Sequence, residues 1–160
     1  MGHLHLVLNH FPVVGLVFCL ALLGIGLVKN SAEVKLASLY MVIAVAVVAL
    51  AAYFTGESAE ELVEHMPDIK KAMIETHEDA GMLALALTEL AGLLSIAALV
   101  SYRKSGELNP KLMNGLVAVC VVATLVIGYA ANLGGQIRHT EIRAGFVPPP
   151  KPADTGEKEK

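Results

Sequence analysis

The sequence predicts an all-α integral membrane protein, a four-helix bundle with a short amphipathic surface helix between its second and third spans. Three observations carry this. Four apolar runs of about twenty residues each match the length a helix needs to cross the hydrocarbon core. The 160 residues are 55% hydrophobic, with a mean hydropathy of +0.61, above the usual soluble range of roughly 45–50%. The charges collect between the runs instead of within them.

The first run, "LHLVLNHFPVVGLVFCLALLGIGLV", covers about 4–28, and the second, "LASLYMVIAVAVVALAAYF", about 36–54. The third, "AGMLALALTELAGLLSIAALVSY", covers about 80–102, and the fourth, "LMNGLVAVCVVATLVIGYAANLGG", about 112–135. Helices are expected because lipid offers no partner to an unpaired backbone group. Pro12 falls in the first turns of its span, where a missing N–H costs least. No basic stretch precedes the first run, so it reads as a mature span and not as a cleaved signal.

Residues 29–35 and 103–111 form tight turns, whereas 55–79 make a longer excursion. Ser58 followed by Glu61 has the spacing of a capping box opening the surface helix, which Pro67 then breaks. Residues 1–146 form the transmembrane domain. The segment 147–160, rich in proline and charge, reads as a disordered polar tail.

Both termini lie on one side of a four-span chain. The two tight turns hold Lys29, Lys35, Arg103, Lys104 and Lys111 against Glu33 and Glu107, while the excursion holds two lysines against eight acids. Short basic loops face the cytoplasm. The expected location is therefore the bacterial inner membrane, multi-pass, with both termini and the excursion periplasmic. The net charge of −3 and the lack of a recognition motif argue against nucleic acid. Cys19 and Cys120 read as buried small hydrophobes. With no C-x-x-C-H motif, covalent haem attachment is excluded.

All six histidines fall at the outer end once the chain is threaded: His3, His5 and His10 at the first span, His65 and His77 around the excursion, His139 after the fourth span. His3 reads as an interfacial polar residue, and His65 as either that or a ligand. Three of the six head stripes of small residues at helical spacing. Below His10 run Val14, Val17, Ala21 and Gly24. Below His77 run Gly81, Ala84, Thr88, Ala91, Gly92 and Ser95. Back from His139 run Gly135, Asn132 or Ala131, Gly128 and Thr124. Close helix packing explains small residues but not a histidine at the same end of each stripe. A b-type haem explains both, since it takes two axial imidazoles and needs room for its ring. His10, His77 and His139 are the first candidates, with His5 beside them. Gly135 and Gly81 would admit the macrocycle, and Arg138 would pair with a propionate. Gln136, Asn9 and Thr55 are candidate supporting donors.

The expected function is a membrane-bound b-type cytochrome subunit. It would carry electrons between the quinone pool or a partner subunit and a periplasmic redox partner, as a non-catalytic part of a larger oxidoreductase. The histidine count allows one haem or two, and their one-sided placement favours one. The alternatives are a zinc or copper protein, using the same histidines with Met66, Glu78 or Asp79, and a redox-silent structural subunit. Glu89, mid-span and about 18 Å along the helix from His77, marks a proton path, a quinone contact, or a neutral carboxyl bonded to Thr88, Asn114 or a carbonyl.

The segment "HLVLNHFP" resembles the opening of a family of bacterial four-span membrane proteins, the domain of unknown function 2231. Members begin with a histidine, four residues, then His-Phe-Pro, here His5, His10, Phe11 and Pro12. A Thr-Gly closes span two, like Thr55 and Gly56, and a histidine opens span three, like His77. Gly-Gly and a following histidine end the pattern, like Gly134, Gly135 and His139. Leu6 stands where the family commonly has Pro, and the interval from Gly135 to His139 is shorter than its usual form. The resemblance covers about residues 3–143. It implies a membrane protein. Some members are joined to Rieske-type modules, which points to redox chemistry.

Overall fold

The computed structural model describes residues 2–67 and 69–148. The described chain is helical nearly throughout: α1 (Gly2–Leu8), α2 (His10–Val28), α3 (Ala32–Phe54), α4 (Gly56–Val63), α5 (Lys71–Ser105) and α6 (Pro110–Arg138), followed by a 3₁₀ turn at Thr140–Ile142. Four spans are long and apolar enough to cross a membrane: Gly2–Val28, Ala32–Val63, Lys71–Ser105 and Pro110–Arg138. They form a closed ring of neighbours, α2 against α3, α3 against α5, α5 against α6 and α6 against α2. The two short helices, α1 and α4, pack on each other at the end of the bundle that carries the N-terminus, and α1 also rests on α3.

The core repeats at alternating steps of three and four on every span. On α1–α2 the inward residues are Gly2, His5, Asn9, Pro12, Leu16, Cys19, Leu23 and Gly26. On α3 they are Ser38, Val42, Val45, Ala49 and Ala52. On α5 they are Ile74, His77, Gly81, Ala84, Thr88, Ala91, Ser95 and Ala98. On α6 they are Met113, Leu116, Cys120, Ala123, Ile127, Ala130, Gly134 and Ile137. A mean step of 3.5 residues keeps one seam facing its neighbours along the whole helix. Lipid is as apolar as leucine, so no hydrophobic gain draws the helices together, and close contact between small residues takes its place. Gly92 shows how close: a Cβ there would come within 2.9 Å of the Ala46 Cβ on α3. The opposite faces carry large exposed side chains such as Leu93 (63% exposed) and Leu125 (70% exposed), as lipid contact allows.

Local chemistry sets the ends. Pro12 has no N–H to give the carbonyl of Leu8 four residues back, and α1 stops at Leu8. The Ser31 hydroxyl accepts from the Val34 N–H, and the Asn109 side chain accepts from the Lys111 N–H ahead of Pro110. Gly106 closes α5 in the left-handed region at φ 75°, where a Cβ would be penalised. The sequence expectations need three adjustments. The spans extend beyond their apolar runs, because the flanking polar residues continue the helices. The capping box at Ser58 does not form: α4 begins at Gly56 with Thr55 before it in helical conformation, so the chain runs from α3 into α4 without the extended residue a cap requires. The surface helix ends at Val63, ahead of Pro67. Of the tail, Val147 and Pro148 are exposed and non-helical, and residues 149–160 lie outside the described residues.

Replacing Gly92 with Leu should lower stability by about 1–3 kcal/mol, the usual cost of overpacking a tight contact. Gly24→Leu, where an added Cβ meets nothing within 4 Å, should have little effect. Thermal unfolding of both variants in detergent checks the contrast.

A candidate histidine site at one end of the bundle

At about 1.5 Å per residue, α5 is some 52 Å long, well beyond the roughly 30 Å hydrocarbon core. Its first turns, Lys71–Asp79, carry the charges Lys71, Glu75, Glu78 and Asp79 and stand outside that core. His77 occupies the inward stripe of these turns and His5 the inward stripe of α1. Each is half-buried.

The His77 Nδ1–H donates to the Ala130 carbonyl on α6 at 3.0 Å. A carbonyl can only accept, so Nδ1 carries the proton and the Nε2 lone pair stays free. The ring lies against Gly134, where a Cβ would meet His77 Cε1 at 2.9 Å. Any side chain at Gly134 would push the imidazole away. The His5 Nδ1–H donates likewise to the Ala52 carbonyl at 2.8 Å. Ala52 sits in the last turn of α3, whose carbonyls lack helical partners, and the Thr55 hydroxyl donates to the same oxygen at 2.9 Å. The Cε1 of His5 lies 3.7 Å from where a Gly56 Cβ would stand. Both imidazoles are thus held through Nδ1 by backbone carbonyls, as metal-bound histidines are by their outer partners.

The two rings are near enough to oppose each other's charge. Burial lowers the pKa of His77 from its ordinary 6.5. The Ala130 carbonyl pulls it up, and His5 adds to the lowering. The net direction keeps His77 neutral. Asn9, one helical turn from His5 on the same stripe, has its Oδ1 buried with no hydrogen-bond partner among the described residues. Gly81, one turn below His77, has open space where its Cβ would be. Beside the site, burial pushes the Glu78 carboxyl up. A hydrogen bond with Glu60 of α4 acts the same way, as do the charges of Glu60, Asp79 and Glu75.

The structure divides the residues that sequence spacing grouped together. His77 and His5 each lie on an inward stripe. His10 is exposed, its Nδ1–H turned back to the Leu6 carbonyl at 2.9 Å. The stripe below it (Val14, Val17, Ala21 and Gly24) faces lipid. His139 is exposed beyond the end of α6 and donates from Nδ1 to Glu141 at 2.8 Å. The Glu141 carboxyl is held low by its own backbone N–H and by His139. On the stripe behind His139, Asn132, Ala131 and Gly128 are exposed. Gly135 faces Ile142, not a histidine. Arg138 is exposed and its guanidinium donates to the Met66 sulfur. Gln136 donates to Asn132. His3 is exposed, and His65 is exposed beside Glu64 at 3.3 Å.

Sequence spacing did not foresee that the His77 ring rests on Gly134, or that His5 and Asn9 share an inward stripe while His10 does not. The signal was there: counting back from Leu23, Leu16 and Pro12 in steps of four and three lands on Asn9 and His5, one position off His10. Among the described residues, no three His, Cys, Asp or Glu side chains gather as a metal-ion cluster. The Thr88 hydroxyl donates to the Ala84 carbonyl and not to Glu89, and Glu89 Oε1 has no hydrogen-bond partner among the described residues.

A family model described as "Predicted membrane protein (DUF2231)" matches residues 2–141, nearly the whole described chain. No curated protein and no solved structure matches it.

Two outcomes follow. Gly134→Ala should displace the His77 ring and break its bond to Ala130, read as a change in the His77 signals in histidine-labelled NMR with the helical content intact. His77 should also stay neutral when the pH reaches 6.5. Because its folded pKa lies below the unfolded value, the site keeps full stability above pH 6.5 and loses it as the pH falls from there through the lowered folded value. A His77 titration midpoint above 6.5 contradicts this.

Proposed function

This chain belongs to the DUF2231 family of membrane proteins, and from that premise we propose that it is a b-type cytochrome subunit binding one haem through His5 and His77. The observation that carries this reading is the matched pair of imidazoles on α1 and α5. Each is fixed through Nδ1–H on a backbone carbonyl, which leaves Nε2 as the coordinating atom.

The donor set fits a haem better than a bare ion. Structural zinc takes four protein ligands and catalytic zinc three, whereas a haem would need only two imidazoles from the protein, here His5 and His77. The unpartnered Asn9 Oδ1 and the open space beside Gly81 fit a site that is completed by a bound group. Bound there, haem b supplies reversible one-electron chemistry. The chain's own part is to orient and hold the ligands. Ala52 and Ala130 fix the tautomers, Thr55 braces the Ala52 carbonyl, and Gly134 sets how closely the His77 ring approaches α6. The depressed pKa keeps that ring neutral and able to ligate. His10 and His139 are left as surface groups.

The basic short turns favour an inner-membrane orientation with the site on the periplasmic side. That places it to pass electrons between the quinone pool or a membrane partner and a periplasmic redox protein.

The test is the visible spectrum of detergent-purified chain expressed with a haem supply. A Soret band and a sharp reduced α-band are expected, lost in His5→Ala and in His77→Ala and kept in His10→Ala and His139→Ala. A colourless wild-type chain, or a His77→Ala variant with the same low-spin spectrum, overturns the assignment.

A further inference from the structure

Near His77, the start of α5 and the end of α6 line a half-open cavity of about 180 Å³ formed by Lys70, Ala72, Met73, Thr76, Leu133 and Gln136, of which Lys70, Ala72 and Thr76 are exposed. Thr76 immediately precedes His77, and Leu133 immediately precedes Gly134, the residue on which the His77 ring rests. Both walls of the cavity are therefore tied by one peptide bond to the histidine site.

Its lining has two characters. Ala72, Met73 and Leu133 make apolar walls. The Lys70 ammonium and the Gln136 amide supply N–H donors. Gln136 gives one amide hydrogen to Asn132 and keeps a second. The Thr76 hydroxyl donates to the Ala72 carbonyl at 2.6 Å and retains acceptor capacity. Pockets that bury a whole drug-sized molecule measure roughly 300–1,000 Å³. This cavity therefore suits only a ring-sized headgroup, the remainder lying outside it. It lies among the polar turns of α5 that stand outside the hydrocarbon core, with Leu133 in the last apolar turns of α6, so an apolar tail can run from it toward the bilayer.

We propose that this cavity binds the headgroup of a membrane quinone, with its carbonyl oxygens on Lys70 and Gln136. The choice of a redox-active headgroup rests on the electron-transfer reading above. The reduced form is accommodated as well, since a quinol hydroxyl can donate to Thr76. The other source of acceptor oxygens in a bilayer is an anionic phospholipid headgroup. Charge disfavours it: the segment 55–79 holds eight acids against two lysines, of which Lys71 stands 4.0 Å from Glu75. A neutral ring meets no such repulsion.

The test titrates the purified full chain in detergent with a short-chain isoprenoid benzoquinone, and separately with a short-chain phosphatidylglycerol, by calorimetry. Saturable quinone binding is expected. Lys70→Ala and Gln136→Leu should each weaken it about tenfold, the loss of one good hydrogen bond. Ala72→Phe, which fills the cavity from one wall, should abolish it. Unchanged quinone affinity in Lys70→Ala and Ala72→Phe overturns the proposal, as does saturable binding of the phospholipid alone. The two readings fail separately. A haem-loaded chain that binds no quinone sinks this site and leaves the histidine pair standing. A haem-free chain whose quinone affinity falls on Lys70→Ala upholds the site and sinks the haem.

Discussion

Four inward seams, each stepping alternately by three and four residues, hold this protein together. In water the apolar faces would be driven inward by the solvent. In lipid that drive is absent, and what remains is contact between surfaces that fit. The seams are accordingly rich in small residues on α3 (Ser38, Ala49 and Ala52) and α5 (Gly81, Ala84, Thr88, Ala91, Ser95 and Ala98), with larger residues such as Leu16, Leu23, Met113 and Leu116 filling the space they leave. The close approach at Gly92 and Ala46 is the local expression of that rule.

The same seams decide which polar groups meet. At the end of the bundle that carries the N-terminus, where the helices leave the hydrocarbon, the inward positions pass from apolar residues to His5 on α1, Asn9 between α1 and α2, His77 on α5 and Gly134 on α6. A half-buried imidazole on a seam loses part of its hydration, which favours a protein partner for its N–H. The available partners are the carbonyls of Ala52 and Ala130. Each such bond fixes a tautomer and leaves a lone pair on the other nitrogen. The local packing thus creates two directed Nε2 donors from an ordinary requirement of satisfied hydrogen bonding. A histidine one position off the seam, as His10 is, turns its proton to its own helix and stays on the surface.

Two kinds of unpaired polar atom remain among the described residues, and they differ in setting. Asn9 Oδ1 lies beside the histidine pair, near the boundary where water, a ligand headgroup or a cofactor edge can reach it. Glu89 Oε1 and Ser95 Oγ lie within the third span. There an unmatched polar group is costly, and an ionisable one by default marks function. The Ser95 hydroxyl is on the seam itself. Glu89 lies off it, on the side of α5 between seam and lipid.

The fold class was legible in the sequence because it depends on composition and length: four apolar runs long enough to cross, with charged connections between them. The polar flank that carries His77 and Gly134 was legible for a similar reason, since both stand where a span meets its connection. The choice of partner was not. His5 and His10 are both near the start of the first span and both head a helical spacing. Only the packing of α2 against α3 and α6 selects the face containing Leu16 and Leu23, and with it His5. The physical reason is angular. One residue along a helix turns a side chain by about 100°, so a register error of one position exchanges core for lipid. In a chain apolar on every face, hydropathy alone does not supply that register, and contact between helices does.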